Sequence, residues 1–85
     1  MIIQFHKDLT KSYKKLSPKL KTKVDQKLRI FAQTPFSSEL NNHALVGTLL
    51  GHRSINITED CRAIYKESSA DMVIFMKLGT HSQLY

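Results

Sequence analysis

HRSINITEDCRAIYK, residues 52–66, is the stretch that decides the fold. Its first seven residues alternate: Ile55 and Ile57 face one side, and Ser54, Asn56 and Thr58 the other. That two-residue repeat is the signature of a strand. Thr58-Glu59-Asp60 supplies a tight turn, and Cys61-Arg62-Ala63-Ile64-Tyr65-Lys66 reads as a second strand folding back on the first. Ser68-Ser69-Ala70-Asp71 makes the next turn. Met72 to Leu78, MVIFMKL, is nearly all apolar, as expected of a central strand covered on both faces.

Towards the N-terminus the repeat changes. Ile2–Phe5 is short and apolar and reads as a brief first strand. Phe5, Leu9, Tyr13 and Leu16 then recur every three or four residues, the helical period. Ser17-Pro18 offers an N-cap followed by a proline at the first helical position, where a missing N–H costs little. Leu20, Val24, Leu28 and Phe31 form the next helical set, closed by Thr34-Pro35. Two amphipathic helices with so short a joint are expected to pair as a hairpin. Phe36 to Leu50 lacks a clear period and reads as a connection with some irregular structure. The order is β-α-α-β-β-β: a helical hairpin on one face of a small antiparallel sheet, an α+β fold in one domain over residues 1–85. The polar row of Ser54 and Asn56 is expected on the sheet's other face, the natural place for a site.

Eighty-five residues can bury one modest core, and an apolar fraction of 41% fits a folded globule. No apolar run is long enough to span a bilayer. The start, MIIQFHKDL, has no export signal, and the single cysteine, Cys61, suits a reducing compartment; both point to the cytoplasm. The net charge is +6, and nine of the thirteen Lys and Arg residues lie between Lys7 and Arg29, against Asp8 and Asp25. Such a surface suits RNA phosphate or an acidic protein, although a solvated helical face has the same composition.

The residues that bear chemistry gather in the second half. His6, His43, His52 and His81 lack the spacing of a helical zinc site, Cys61 stands alone, and no phosphate-binding loop or nucleophile elbow is present. No metal or other cofactor is expected. His43, Asp60, His81 and Tyr85 remain as acid/base-capable groups, with Arg53 and Arg62 near them in sequence. That mixture suits RNA cleavage by its own 2′-OH. The reaction needs a base for the hydroxyl proton, an acid for the departing 5′ oxygen, and cations against the charge growing on phosphate. Histidine titrates near neutrality, and the planar arginine fork can hold two phosphate oxygens at once.

NNHALVGTLLGHRSINITEDCRAIYK (residues 41–66), followed by an apolar strand and LGTHSQLY (residues 78–85), resembles the RelE/ParE toxin superfamily, with its nearest likeness to the YafQ-like branch. The resemblance implies the same helical hairpin on a sheet. It also implies a toxin of a type II toxin–antitoxin pair, acting as a ribosome-dependent endoribonuclease on mRNA. His81 matches the family's C-terminal histidine, a general acid for the leaving oxygen. Asp60 matches its functional aspartate, a base or orienter. His43 matches a histidine that assists catalysis, Arg62 a phosphate-binding arginine, and Tyr85 a terminal aromatic that stacks on or positions the message. Asn56 stands where the YafQ branch has a further histidine and is expected to line the site; Cys61 stands where that branch has tryptophan. These two departures keep open a ParE-like toxin that inhibits DNA gyrase without cutting RNA, and a degenerate toxin acting only through complex formation. The implied partners are the ribosome with its mRNA and an antitoxin whose acidic or amphipathic segment covers the basic site, with DNA reached only through that antitoxin.

Overall fold

The computed structural model describes residues 1–84. Its elements are β1 (Ile2–Phe5), α1 (Lys7–Lys14), α2 (Pro18–Gln33), β2 (His43–Ala44), β3 (His52–Asn56), β4 (Cys61–Ser69), β5 (Met72–Thr80) and a short α3 (His81–Leu84). The helix signals act as the residues suggest. Ser17 Oγ accepts the Leu20 N–H at 3.2 Å, and Pro18 opens α2. His6, structural rather than catalytic, caps α1: its Nδ1 accepts the Asp8 N–H at 3.1 Å. The Tyr13 hydroxyl donates to Asp25 Oδ1 at 2.9 Å and ties α1 to α2.

The five strands lie in the order β1-β5-β4-β3-β2. β2 to β5 are antiparallel to one another, as the alternation in residues 52–66 implies. β1 joins parallel to β5, so the sheet is mixed, where an antiparallel sheet was expected. The helical pair carries the chain from the β1 edge to the β2 edge. Three antiparallel steps bring it back, and β5 arrives beside β1 pointing the same way. A parallel neighbour needs such a crossover, and the helices provide it.

The helices cover one face. Leu9, Val24 and Phe31 pack there on Ile55, Ile57, Ala63, Tyr65, Val73, Phe75 and Leu78. Phe31, Tyr65 and Phe75 form an aromatic centre with ring centroids 4.8 to 5.2 Å apart, close enough for edge-to-face attraction. β5 is covered by helices on this side only: Ile74 and Met76, at its intervening positions, are half-buried. On the face away from the helices Ser54 and Ile64 are nonetheless fully buried. The polar row predicted from alternation therefore does not lie open along its whole length.

Candidate functional site

Sheet register decides which chemistry-bearing residues share a face. His43 pairs with Ser54, Ser54 with Ile64, and Ile64 with Lys77, one row across four strands. Asn56, Arg62 and Gly79 form the next row. Paired residues point to the same side, and these rows sit opposite the helix-side core. His43, Asn56 and Arg62 are thus brought onto one face.

His43 lies on the two-residue edge strand β2, and its Nδ1 is 2.8 Å from the Asn41 carbonyl oxygen. A carbonyl can only accept, so Nδ1 carries the proton. The lone pair of the neutral ring is then on Nε2, the atom a general base would use. Asn41 holds this carbonyl from a left-handed backbone, φ 46°, a conformation asparagine tolerates better than most residues.

Arg62 does not pair with Glu59 or Glu67. Its Nη1 donates to the carbonyls of Thr58 at 2.7 Å and Glu59 at 2.5 Å, closing the β3–β4 turn. These contacts, and a longer one to the Cys61 carbonyl at 3.5 Å, all run from that one nitrogen; among the described residues no hydrogen bond engages the other donors of the fork. Asp60 is exposed in that turn. Cys61, beside it, points into the helix-side core; burial, then the Asp60 charge, pushes its thiol above the ordinary value, against the lowering by Arg62. It is a core side chain. Thr80 is in register with Cys61, so His81, the next residue, leaves the sheet at the end where Asp60 turns. The His43 row crosses β5 at Lys77, four residues before His81, so the two histidines are separated at the backbone by roughly 14 Å across the strands and about 13 Å along them. Tyr85 lies outside the described residues.

Arg53 is not brought to this face. It pairs with Ala44 and Tyr65, on the helix side. Its Nε donates to Asn42 Oδ1 at 2.8 Å and its guanidinium lies 5.1 Å from the Phe36 ring centre. The same Asn42 donates to the Pro35 carbonyl and the Tyr65 hydroxyl, so Arg53 belongs to a network that fixes the 35–42 connection.

The structure adds one residue, His52, to the polar row of Ser54 and Asn56. His52 Nδ1, Ser54 Oγ and Asn56 Oδ1, at alternate positions of β3, are buried without a hydrogen-bond partner. All three lie on the face that carries His43 and Arg62. His52 was legible by the same alternation, since it is in phase with Ser54 and Asn56. Among the described residues no cluster of three or more His, Cys, Asp or Glu side chains could hold a metal ion, and no helix is long and apolar enough to cross a membrane.

Comparison with known proteins agrees with this fold. The fold is similar to YafQ from Escherichia coli, with a TM-score of 0.83 and 20% identity over 98% of this chain and 96% of that one. It is also similar to a YoeB/ParE toxin from Agrobacterium tumefaciens, with a TM-score of 0.79 and 20% identity over 95% and 99%. A third match is the E. coli DinJ–YafQ complex, at 0.70 and 24% over 98% and 96%. No curated protein matches the sequence. Residues 1–85 match the family described as "Bacterial toxin of type II toxin-antitoxin system, YafQ". With the match running the whole length of the sequence, the chain belongs to the YafQ family of toxins from bacterial type II toxin–antitoxin systems.

Proposed function

We propose that this toxin is an endoribonuclease that cleaves mRNA on the ribosome, using the RNA 2′-OH as nucleophile and side chains alone as acid and base. The observation that carries this reading is the sheet register, which puts His43, Asn56 and Arg62 on one face with Asp60 and His81 at its end. His43 Nε2, its tautomer set by the Asn41 carbonyl, takes the hydroxyl proton. Arg62 meets the charge that develops on the phosphate with the donors the turn leaves unused. His81 gives a proton to the departing 5′ oxygen, and Asp60 orients the groups at that end. Asn56 lines the site between them, and Tyr85 stacks on the message. Arg53 serves phosphate binding only indirectly, by holding the connection that leads to His43.

The E. coli relative forms a complex with DinJ. By that likeness, the partner of this chain is a cognate antitoxin with an acidic or amphipathic segment, through which DNA would be reached. The reading is tested by inducing the chain alone in a bacterium and mapping mRNA ends. Wild type should arrest growth and leave new ends within translated codons. His81→Ala should abolish both while remaining folded. Intact mRNA with damaged DNA would favour a gyrase inhibitor, and no arrest at all would favour a toxin active only in complex formation.

A further inference from the structure

The end of β5 turns into α3 through a reciprocal pair of hydrogen bonds. The Gln83 N–H donates to Thr80 Oγ1 at 3.3 Å, and the Thr80 N–H donates to Gln83 Oε1 at 2.9 Å. This is the capping box of a Ser/Thr followed three residues later by Glu/Gln, with two backbone donors satisfied at once. A helix of four residues does not hold itself together, because nucleation costs more than one turn returns. The first helix gives little help here: a cleft of about 520 Å³ lies between Gln83 and Leu84 on one side and Asp8 and Ser12 of α1 with Lys15 beyond its end on the other. The box is thus a local restraint on the tail, beside the 3.3 Å contact between the Thr80 and Ser82 hydroxyls.

A side chain on the residue before the box would displace its glutamine. A Cβ on Gly79 would stand 2.8 Å from Gln83 Oε1 and 3.6 Å from Leu84 Cδ2. Gly79 is not at positive φ, so an added side chain would act there through the end of the Gln83 side chain, which would have to move. The side chain of Gln83 fills that space, directly over the row that carries Arg62 and Asn56.

We infer that Gln83 is a positioning residue for His81: with Thr80 it closes the box over Gly79 and sets where the His81 ring stands relative to the Asp60 turn. This rests on the reading of His81 as the general acid. Opening the box would let the backbone that carries His81 shift, and misplacing a catalytic group by about 1 Å can cost on the order of a hundredfold in rate.

The test uses the full chain on ribosomes bearing a defined message, with three variants beside His81→Ala. Gln83→Ala opens the box. Gly79→Ala pushes Gln83 out of it. Gln83→Glu keeps an acceptor in place. Gln83→Ala and Gly79→Ala should each lower kcat by 10- to 100-fold with KM little changed. NMR signals of residues 81–84 should move to random-coil positions while those of the sheet stay put. Gln83→Glu should keep both the rate and the ordered signals. If Gln83→Ala cleaves as wild type while His81→Ala is dead, or if its tail signals stay ordered, the positioning role is overturned and the catalytic reading stands. If His81→Ala itself cleaves as wild type, the catalytic reading has failed and this inference with it.

Discussion

Ser54 and Asn56 each bury an oxygen that no other group meets. Such an atom costs the fold about 1–3 kcal/mol when nothing replaces its water. Ser54 is fully buried, so Ser54→Ala should raise stability by about 1 kcal/mol, read as a higher urea midpoint with an unchanged slope. If the row serves the reaction, the same variant should cut more slowly; a loss of stability would mean the hydroxyl has a partner in solution. Alternation in HRSINIT told which residues share a side, and Arg53 was legible by the same rule: it is in phase with Ile55, hence on the core side. Proximity in sequence to Asp60 and His43 suggested a phosphate contact instead. The tautomer of His43 was not legible, because it depends on the left-handed backbone of Asn41 and on a two-residue strand too short to show a period.

Between the elements, polar contacts do the joining, and residue patterns show them poorly. Asn42 uses both amide donors and its oxygen, on Pro35, Tyr65 and Arg53, and so fastens the irregular connection to β3 and β4. Asn42→Ala would leave the hydroxyl of buried Tyr65 and the Pro35 carbonyl unpaired, and should cost about 2–3 kcal/mol, measured by chemical denaturation. The α1–α2 contact is sensitive to pH. The hydrogen bond from Tyr13 to the Asp25 carboxylate, then partial burial and the neighbouring negative charge, raise the phenol above its ordinary 10.0. The folded state thus keeps the phenolic proton to higher pH than the unfolded chain does. The stability this gives is complete below pH 10 and is lost as pH rises through the folded value. Wild type should lose more stability than Tyr13→Phe between pH 9 and 11; parallel losses would place the effect elsewhere. The helices and β3 to β5 could be read from their periods, since one buried face imposes each repeat. The parallel entry of β1 could not, because pairing direction depends on the path of the whole chain.

At the scale of the molecule, the charge and the candidate chemistry lie on different sides of the sheet. Nine of the thirteen cationic side chains belong to the segment from Lys7 to Arg29, in the helical layer, whereas His43, Asn56 and Arg62 are on the other face. Lys14, Lys15, Lys19 and Lys23 are exposed, and on the proposed function they would draw the toxin to ribosomal RNA without touching the scissile phosphate. Binding and chemistry should then separate. Replacing these four lysines with glutamine should weaken ribosome binding and flatten the plot of log affinity against log salt. The flattening should be about 0.7 to 0.9 for each lysine that reaches a phosphate. Cleavage at saturating ribosome should be unchanged, since the site face is intact. His81→Ala should give the reverse: an unaltered salt slope and no cleavage. Affinities taken at several salt concentrations, with single-turnover rates on the same variants, decide the matter. A quadruple variant with the wild-type slope would show that the helical layer does not meet RNA, leaving its charge for an acidic protein partner.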